Sequence, residues 1–319
     1  MDVSVIIPVY NGEHSILASL DSLVRQTHKD FEVVIVNDGS VDSTESVVKE
    51  YSSHGLKINY VYQDNGGVAA ARNKGLDLAT GEYVCFLDAD DYYESRFIEQ
   101  MYTEIKSSNS DICYCGYNCV TPQRTFRRRT QFWRNGVLLG YILGKVAVQT
   151  TAWMYSRDFL MQHHIRFPVG VSWGEDFEFC CEALALTNRV TFVKEYLTNY
   201  RSDFDPNQLS AFSMDKLDKD YESVQRLVNN PIVNSNPEVE RALVDYRLSA
   251  ALVYRLVAAM RKGVKHELIS SYAEKYAEHI QKLTWNNGLR SIKLNAHRIR
   301  LKRYLRSQSI GNRDALGGS

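Results

Sequence analysis

The sequence predicts an α/β protein with a mostly parallel sheet flanked by helices, followed by a C-terminal α-helical region. Four short β-rich runs alternate with helical patterns at nearly constant spacing, and these runs are Val3–Val9, Phe31–Asn37, Lys57–Gln63 and Glu82–Leu87. Such alternation is typical of βαβ units, whose strands lie parallel in one sheet. From Met214 onward the pattern is almost wholly helical.

Continuous apolar runs predict the strands, and apolar residues at helical spacing predict the helices between them. The continuous apolar run Val33–Val36 is typical of a strand covered on both faces. The stretch Ile16–Val24 repeats apolar residues at helical spacing, which predicts the first helix. Asp42 and Glu45 form a capping-box-like start for the second helix, and the third is predicted over Val68–Ala79.

The 319 residues carry 38 Lys+Arg against 38 Asp+Glu, which excludes a polycation that grips nucleic acid through its phosphates. We therefore expect no nucleic-acid partner. The boundary is placed near residue 213, giving an α/β domain over 1–213. A helical region is expected over 214–306, and a mobile tail over 307–319.

The balanced charge hides an asymmetry along the chain. Met1–Asp111 holds 19 Asp/Glu and 8 Lys/Arg, whereas the rest holds 19 and 30, and Arg290–Arg306 carries seven bases and no acid. The start of the chain lacks the basic segment and cleavage site of a signal peptide. No apolar run reaches the roughly 18 residues that span a bilayer. We expect a cytoplasmic protein, held at the inner face of the cell membrane if its basic C-terminal helix attaches there.

Polar residues follow all four predicted strands. These segments are Pro8–Asn11, Asn37–Ser40, Gln63–Gly67 and Asp88–Asp91. Ligands of parallel sheets bind outside the carboxyl ends of the strands, so we expect the chemistry there. Loop formation explains the glycines and serines. It does not explain three acids within Asp88–Asp91, whose carboxylates repel one another unless a cation holds them.

Asp88 and Asp90 predict a site for Mg²⁺ or Mn²⁺, which accept oxygen ligands and fill remaining positions with phosphate and water. Gly66-Gly67, just before a helix, offers backbone N–H groups to an anion. Arg72 on that helix suits a phosphate, and a surface salt bridge is an equal alternative. The acids Glu175, Asp176 and Glu178 open a later helix; by themselves they favour helix capping over a general base.

These motifs together resemble the inverting glycosyltransferases of family 2, which have the GT-A fold. The segments that carry the resemblance are Val3–Asn11, Val34–Ser40, Asn65–Gly67, Ala71–Gly75 and Phe86–Asp91. A weaker likeness continues to Tyr200-Arg201, and the helical region lies outside it. Two departures are Asn37, where many members have a second Asp, and Ser202–Ser210, which leaves nearby acceptor contacts open.

The resemblance implies a GT-A-like (Rossmann-type) nucleotide-sugar-binding catalytic domain over 1–213, which uses a UDP-sugar and a divalent metal, Mn²⁺ or Mg²⁺. The helical region over 214–306 is then expected to serve acceptor, membrane or oligomer contacts. The site residues that it implies are Pro8, Tyr10 and Asp38 around the base, Arg72 beside the diphosphate, Asp88 near the ribose and metal, Asp90 on the metal, and Asp176 as the catalytic base. Gly66 joins this set through the anion site that its backbone N–H offers. Asp38 is expected to accept a hydrogen bond from uracil. With the resemblance, we favour the catalytic role of Asp176 over capping.

Two basic segments leave their partners open. Arg124–Arg134 interleaves arginines with aromatic residues, which fits an anionic acceptor, lipid headgroups or a solvated loop. In the last helix, Leu294, His297, Leu301 and Leu305 can form one stripe beside basic faces. That stripe fits peripheral membrane attachment or, equally, packing on the catalytic domain or on a second subunit of a homo-oligomer.

The predicted function is transfer of a hexosyl or N-acetylhexosaminyl group from a UDP-sugar to a hydroxyl. The acceptor is expected to be a saccharide or lipid-linked saccharide used in surface polysaccharide assembly. A sugar nucleotidyltransferase is the first alternative, but it needs a glycine-rich loop with a basic residue after the first strand, which Pro8–Asn11 does not supply. The second is a non-catalytic carbohydrate- or nucleotide-binding module, which needs no base at Asp176.

Overall fold

A computed structural model describes residues 1–51, 55–202, 211–284 and 287–314. The chain divides into two compact units, Met1–Ala211 and Phe212–Ser319. The first unit contains the sheet, and the described part of the second is helical. Across the described ranges, no helix combines the length and the apolar content needed to cross a bilayer.

The strands of the first unit form one mixed sheet. Their bounds are β1 Val3–Val9, β2 Phe31–Asp38, β3 Ile58–Gln63, β4 Tyr83–Phe86, β5 Tyr92–Tyr93, β6 Ile112–Val120, β7 Thr125–Arg127, β8 Trp153–Ser156 and β9 Val190–Arg201. The order is β3-β2-β1-β4-β8-β6-β9-β5, with β7 paired to β6. Strands β1 to β4 are parallel, as predicted. Strand β8 is antiparallel to both its neighbours, β4 and β6.

Helices cover both faces of this sheet, as the apolar strands predict. They are α1 Ile16–Val24, α2 Thr44–Tyr51, α3 Val68–Leu78, α4 Phe97–Ser107, α5 Val137–Ile142, α6 Arg157–Gln162 and α7 Glu175–Ala185. Alternate side chains of a strand point to opposite faces. Val5 and Ile7 accordingly join the core under α1 and α4, whereas Ile6 joins the core under α3, α6 and α7. The covered faces leave the strand ends for ligands.

A close approach holds α3 against the sheet. A Cβ atom on Gly75 would lie only 2.3 Å from Cγ2 of Ile6 in β1, so any larger residue would push the helix away. The first two turns of α3 carry Arg72 and Asn73. The glycine contact therefore fixes the distance of these two side chains from the carboxyl ends of the strands.

The second unit is built from helices, as its sequence pattern predicts. They are α8 Lys216–Asn229, α9 Pro237–Arg241, a π-helical segment Ala242–Leu248, α10 Ser249–Arg261, α11 His266–Lys275, α12 Ala277–Gln281 and α13 Gly288–Asp314. The last helix continues past its predicted end at Arg306. The segment predicted to be a mobile tail, 307–319, is helical as far as Asp314, and 315–319 lie outside the described residues.

The predicted apolar stripe of α13 packs inside the second unit. Leu294 and Leu301 are fully buried, and the ring of His297 lies 5.2 Å from that of Tyr254 on α10. Leu305 is half-buried. The membrane interpretation of this particular stripe is therefore wrong, because its residues are used to pack the helix against its own unit.

Candidate active site

The loops after β1 and β2 are joined by hydrogen bonds at the carboxyl edge of the sheet. The Asn11 amide oxygen accepts from the Val41 backbone N–H at 3.0 Å, and the Asn11 N–H donates to Ser40 Oγ at 2.8 Å. The Gly12 N–H donates to Thr44 Oγ1 at 2.9 Å. Asn11 has a φ of 49°, a left-handed conformation that asparagine tolerates. The first two strand ends thus form one ordered surface.

Pro8 and Tyr10, both predicted to line a base pocket, lie differently at this edge. Pro8 is buried inside β1, where it is in register with Val36 of β2. Tyr10 follows the strand and is 55% exposed. Only the tyrosine ring therefore presents a broad apolar face at the strand end, and the base-binding role of both residues stays a prediction.

Asp38 ties the end of β2 to the loop before α3. Its buried carboxylate accepts from Gln63 Nε2 at 2.7 Å and from the backbone N–H groups of Gly66 and Gly67, both at 2.9 Å. The prediction that these two N–H groups are open to a ligand anion is wrong in this structure, because Asp38 is the anion that they bind. Three of the roughly four acceptor positions of this carboxylate are therefore used within the protein, and its hydrogen bond with a uracil N–H stays a prediction.

Asn37, the departure from the family pattern, has a defined structural use. Its amide nitrogen donates to the Tyr60 hydroxyl at 2.8 Å, and its amide oxygen accepts from the Ser40 N–H at 2.9 Å. An ionised Asp at this position could accept from the Ser40 N–H but has no N–H group to donate to the Tyr60 hydroxyl. The amide therefore fixes β3 and the β2–α2 loop together without adding a second charge beside Asp38.

Arg72 links two segments that carry the predicted chemistry. The whole residue is only 4% exposed, and its guanidinium donates to Asp88, just after β4, at 2.7 Å and to Glu175, the first residue of α7, at 3.2 Å. It also lies 5.1 Å from the centre of the Phe167 ring. Burial alone would lower the pKa of Arg72, but the charges of Asp88 and Glu175 raise it above its usual value.

Arg72 thus forms the kind of salt bridge considered as its alternative role, but not at the surface, since its own side chain is only 5% exposed. Sequence reasoning did not identify Glu175 as a partner of Arg72. The only sequence feature that pointed to this pair was an arginine in the motif on α3 and an acid in the motif that opens α7. The approach of Arg72 to a diphosphate stays a prediction, with the guanidinium engaged by two carboxylates in this structure.

Three acids are crowded into the turn after β4. Asp91 is buried, and its Oδ1 accepts from the Arg201 backbone N–H at 2.9 Å. Burial, followed by the charges of Asp90 and Asp88, raises the pKa of Asp91 well above its usual value. Asp88 and Asp90 remain partly exposed. Burial therefore favours the neutral form of Asp91, and Asp88 and Asp90 are the two carboxylates of this turn that are open to a cation.

The donor set fits a cation that takes most of its ligands from elsewhere. Within the described ranges, no group of three or more His, Cys, Asp or Glu side chains is placed to hold a metal ion. Asp88 and Asp90 supply two carboxylates, and Asp88 uses one oxygen for Arg72. Mg²⁺ and Mn²⁺ commonly complete such sites with phosphate oxygens and water.

Asp176 lies at the start of α7, directly after the Arg72 partner Glu175. Its carboxylate is half-buried and accepts from Thr150 Oγ1 at 3.0 Å and from the Phe177 N–H at 2.7 Å. Burial and the Asp176 charge raise the pKa of Glu175, against the opposing effect of Arg72. The geometry is thus compatible with capping of α7 and, through the remaining acceptor positions, with proton uptake.

Asn73 fixes the segment that leads into α7. Its amide nitrogen donates to the Phe167 carbonyl at 2.8 Å, and its amide oxygen accepts from the Phe167 N–H at 2.9 Å. This paired contact joins α3 to a segment more than ninety positions away. Arg72 and Asn73, adjacent on α3, therefore both position the region that carries Glu175 and Asp176.

The basic-aromatic segment is partly structural. Phe132 packs against the core, Arg134 forms an ion pair with Glu104 at 3.0 Å, and Arg127 lies 5.0 Å from the Tyr196 ring centre. Other arginines of the segment are exposed. These contacts fit its role as an outer layer on β6 and β9, and they leave the acceptor and lipid alternatives open. The predicted Ser202–Ser210 departure lies, apart from Ser202, outside the described residues.

The mixed sheet, its two helical layers and the acidic strand ends define an α/β protein of the GT-A class. Residues 4–180 match the family described as Glycosyl transferase family 2. This match covers more than half of the chain, so the chain belongs to that family. The resemblance recognised in the strand-end motifs is thereby confirmed.

Curated relatives support the same assignment. The chain is 32% identical over 235 residues to the uncharacterized glycosyltransferase EpsJ of Bacillus subtilis, covering 69% of this chain and 68% of EpsJ. It is 33% identical over 210 residues to the amylovoran biosynthesis glycosyltransferase AmsB of Erwinia amylovora, covering 62% and 68%. The alignments thus span about two thirds of each relative.

Solved structures confirm the fold. S. aureus TarS 1–349 in complex with UDP-GlcNAc superposes with a TM-score of 0.72 at 23% identity, covering 98% of this chain and 92% of the TarS 1–349 chain. The mannosyltransferase PcManGT of Pyrobaculum calidifontis, in complex with GDP-Man and Mn²⁺, gives 0.57 at 19% identity, covering 95% and 86%. At these identities the similarity establishes the architecture.

Proposed function

We propose that this chain transfers a sugar from a UDP-sugar to a hydroxyl of a saccharide or glycolipid acceptor, with inversion, during polysaccharide assembly. The observation that carries this proposal is the Arg72 bridge, which joins Asp88 at the donor end of β4 to Glu175, next to Asp176. The UDP-GlcNAc in the TarS complex supports a UDP-sugar donor. The name of AmsB supports a polysaccharide product.

The donor is expected to lie along the carboxyl edge of β1, β2 and β4. The exposed ring of Tyr10 offers a stacking surface for the base. Pro8 shapes the strand below this ring, and the unused acceptor position of Asp38 can receive the uracil N–H. Gly66 contributes by holding Asp38 in place through its backbone N–H.

Transfer needs a base for the acceptor and stabilisation of the leaving diphosphate. Asp176 takes the proton from the acceptor hydroxyl as its oxygen bonds to the anomeric carbon. The bond from that carbon to the diphosphate breaks on the opposite face, which inverts the configuration. Asp88 and Asp90 would hold the Mn²⁺ or Mg²⁺ ion, which supplies positive charge to the departing diphosphate when bound.

A donor panel tests this proposal. Nucleotide release is measured for UDP- and GDP-sugars with a saccharide acceptor mixture, in Mn²⁺, Mg²⁺ or EDTA. We expect turnover of one or two UDP-sugars that depends on the metal and is abolished by Asp90→Ala, because one of the two carboxylates that would hold the ion is lost. Glu82→Ala, an exposed acid paired with Lys106, is the matched control and should keep full activity.

Each alternative result has a defined meaning. Full turnover in EDTA would remove the metal from the mechanism. Turnover of GDP-sugars alone would contradict the assignment of Asp38 to uracil. Nucleotide binding without release from any donor would favour the non-catalytic binding module.

A further inference from the structure

A second apolar stripe on α13 faces outward. Leu289 is 83% exposed, Ile292 56% and Ile299 51%. With 3.6 residues per turn, Ile292 and Ile299 lie on one side of the helix, roughly opposite Leu294 and Leu301, which pack inward. The packing of the second unit therefore leaves this stripe uncovered within the described part of that unit.

Basic side chains flank the outward stripe. The exposed bases along it are Lys293, Arg300, Lys302, Arg303 and Arg306. The segment 290–306 contains no acid. Burial and the positive charges of Arg261, Lys293 and Arg300 lower the pKa of His297 on the same helix. The outward stripe and its exposed bases, here called the α13 outer face, thus combine apolar side chains with a strong positive field.

We propose that the α13 outer face docks on an anionic lipid bilayer, with Leu289, Ile292 and Ile299 entering the interface and the bases lying at the headgroups. Such a surface offers both components that this face can match, negative charge and hydrocarbon. The same face of a second copy would be repelled by like charge. A nucleic-acid backbone would match the bases but would leave the isoleucines in water.

This surface differs from the stripe that the sequence alone suggested, whose leucines are buried. It involves none of the residues assigned to donor, metal or acceptor chemistry. Lipid binding can therefore be measured without any sugar donor. Its presence or absence does not depend on whether the chain transfers sugars.

Vesicle flotation of the full chain tests the proposal. We expect flotation with vesicles of phosphatidylcholine and phosphatidylglycerol at low salt, and release at high salt because screening weakens exposed charges. Lys293→Gln/Arg300→Gln should weaken affinity about 30-fold, since each base near an anionic surface contributes about 1 kcal/mol and 1.4 kcal/mol is a factor of ten. Ile292→Ser/Ile299→Ser should weaken it at least about tenfold through lost apolar burial.

Matched controls separate this face from general charge or apolarity. Lys29→Gln/Lys57→Gln removes two exposed bases from the first unit, and Leu268→Ser removes an exposed leucine from α11. Both should float like the unaltered chain, and circular dichroism should show all variants folded.

Three results would each overturn the proposal. The first is failure of the unaltered chain to float with anionic vesicles. The second is equal flotation with phosphatidylcholine alone. The third is equal affinity of the α13 variants and their controls, including the case in which Ile292→Ser/Ile299→Ser changes only the oligomeric state.

Discussion

Arg72 connects the two halves of the candidate site at the scale of single residues. A guanidinium buried to this degree needs carboxylate partners, and here they come from two distant elements, at Asp88 and Glu175. The same side chain therefore sets the position of a predicted donor-site acid and of the residue next to Asp176. Its loss should affect both stability and catalysis.

We predict that Arg72→Gln lowers the free energy of unfolding by about 3 kcal/mol, because it leaves Asp88 and Glu175 without their cation. Asp88 is about one third exposed, so the low end of the range for broken buried pairs applies. Urea denaturation at neutral pH measures the change. The control Lys106→Gln breaks an exposed pair with Glu82 and should cost far less, because solvent screens exposed charges. Equal costs for the two variants would contradict a structural role for Arg72.

The sequence allowed the types of site residue to be predicted, but not their partners. Asp88, Asp90 and Asp176 could be proposed because they follow a buried strand or open a helix within recognisable motifs. The hydrogen bond from the Gly66 N–H to Asp38 and the ion pair between Arg72 and Glu175 each join segments that are far apart in the sequence. No local periodicity or spacing carries that information.

Strand β2 is anchored at its amino end, away from the candidate site, by one charged residue. The Glu32 carboxylate accepts from Ser4 Oγ at 2.6 Å, from the Thr80 N–H at 2.7 Å and from Thr80 Oγ1 at 2.8 Å. Burial tends to raise the pKa of Glu32, but these hydrogen bonds bring it below its ordinary value. The ionised form therefore joins β1, β2 and the segment before β4.

We predict that Glu32→Gln lowers the free energy of unfolding by about 1.5 kcal/mol at neutral pH, through weaker hydrogen bonds. A lowered folded pKa gives stability that is present above the ordinary value of 4.5 and is lost as pH falls through the folded pKa. The difference between the two proteins should therefore shrink as pH falls below 4.5. Urea denaturation across this range measures it.

Activity should be unaffected by this substitution, because Glu32 lies at the opposite end of β2 from Asp38. Glu82→Gln, at an exposed acid, is the matched control for the pH series. A stability difference that is constant from neutral to acid pH would show that ionisation of Glu32 does not matter.

The helices match the sequence prediction where apolar periodicity is strong. They differ from it where contacts between distant segments determine their ends or their packing. Helix α4 begins only at Phe97, because the preceding residues Tyr92–Tyr93 pair with β9. In α13 the sequence identified apolar positions but could not say which stripe packs. The stripe with Leu294 and Leu301 and the stripe with Ile292 and Ile299 are both apolar. Contacts between α13 and α10 determine that the first of them is buried.

At the scale of the whole molecule, one half of the sheet could be predicted from the sequence and the other half could not. The parallel half of the sheet, β1 to β4, could be predicted because its βα units repeat regularly. The order of β8, β6 and β9 could not, since the spacing after Asp91 is irregular and β8 runs antiparallel to both neighbours. The candidate base on α7 is thus placed by a part of the fold that only the structure reveals.

The most direct test of the central claim, sugar transfer with Asp176 as base, is the kcat of Asp176→Asn on the donor that the panel identifies. We predict a fall of about 10²–10⁴-fold, the usual contribution of a general base, with donor affinity changed by less than about twofold. Glu182→Gln on the same helix should retain its kcat, since it removes a carboxylate elsewhere on α7. A kcat for Asp176→Asn within about threefold of the unaltered chain would contradict the assignment of Asp176 as the base.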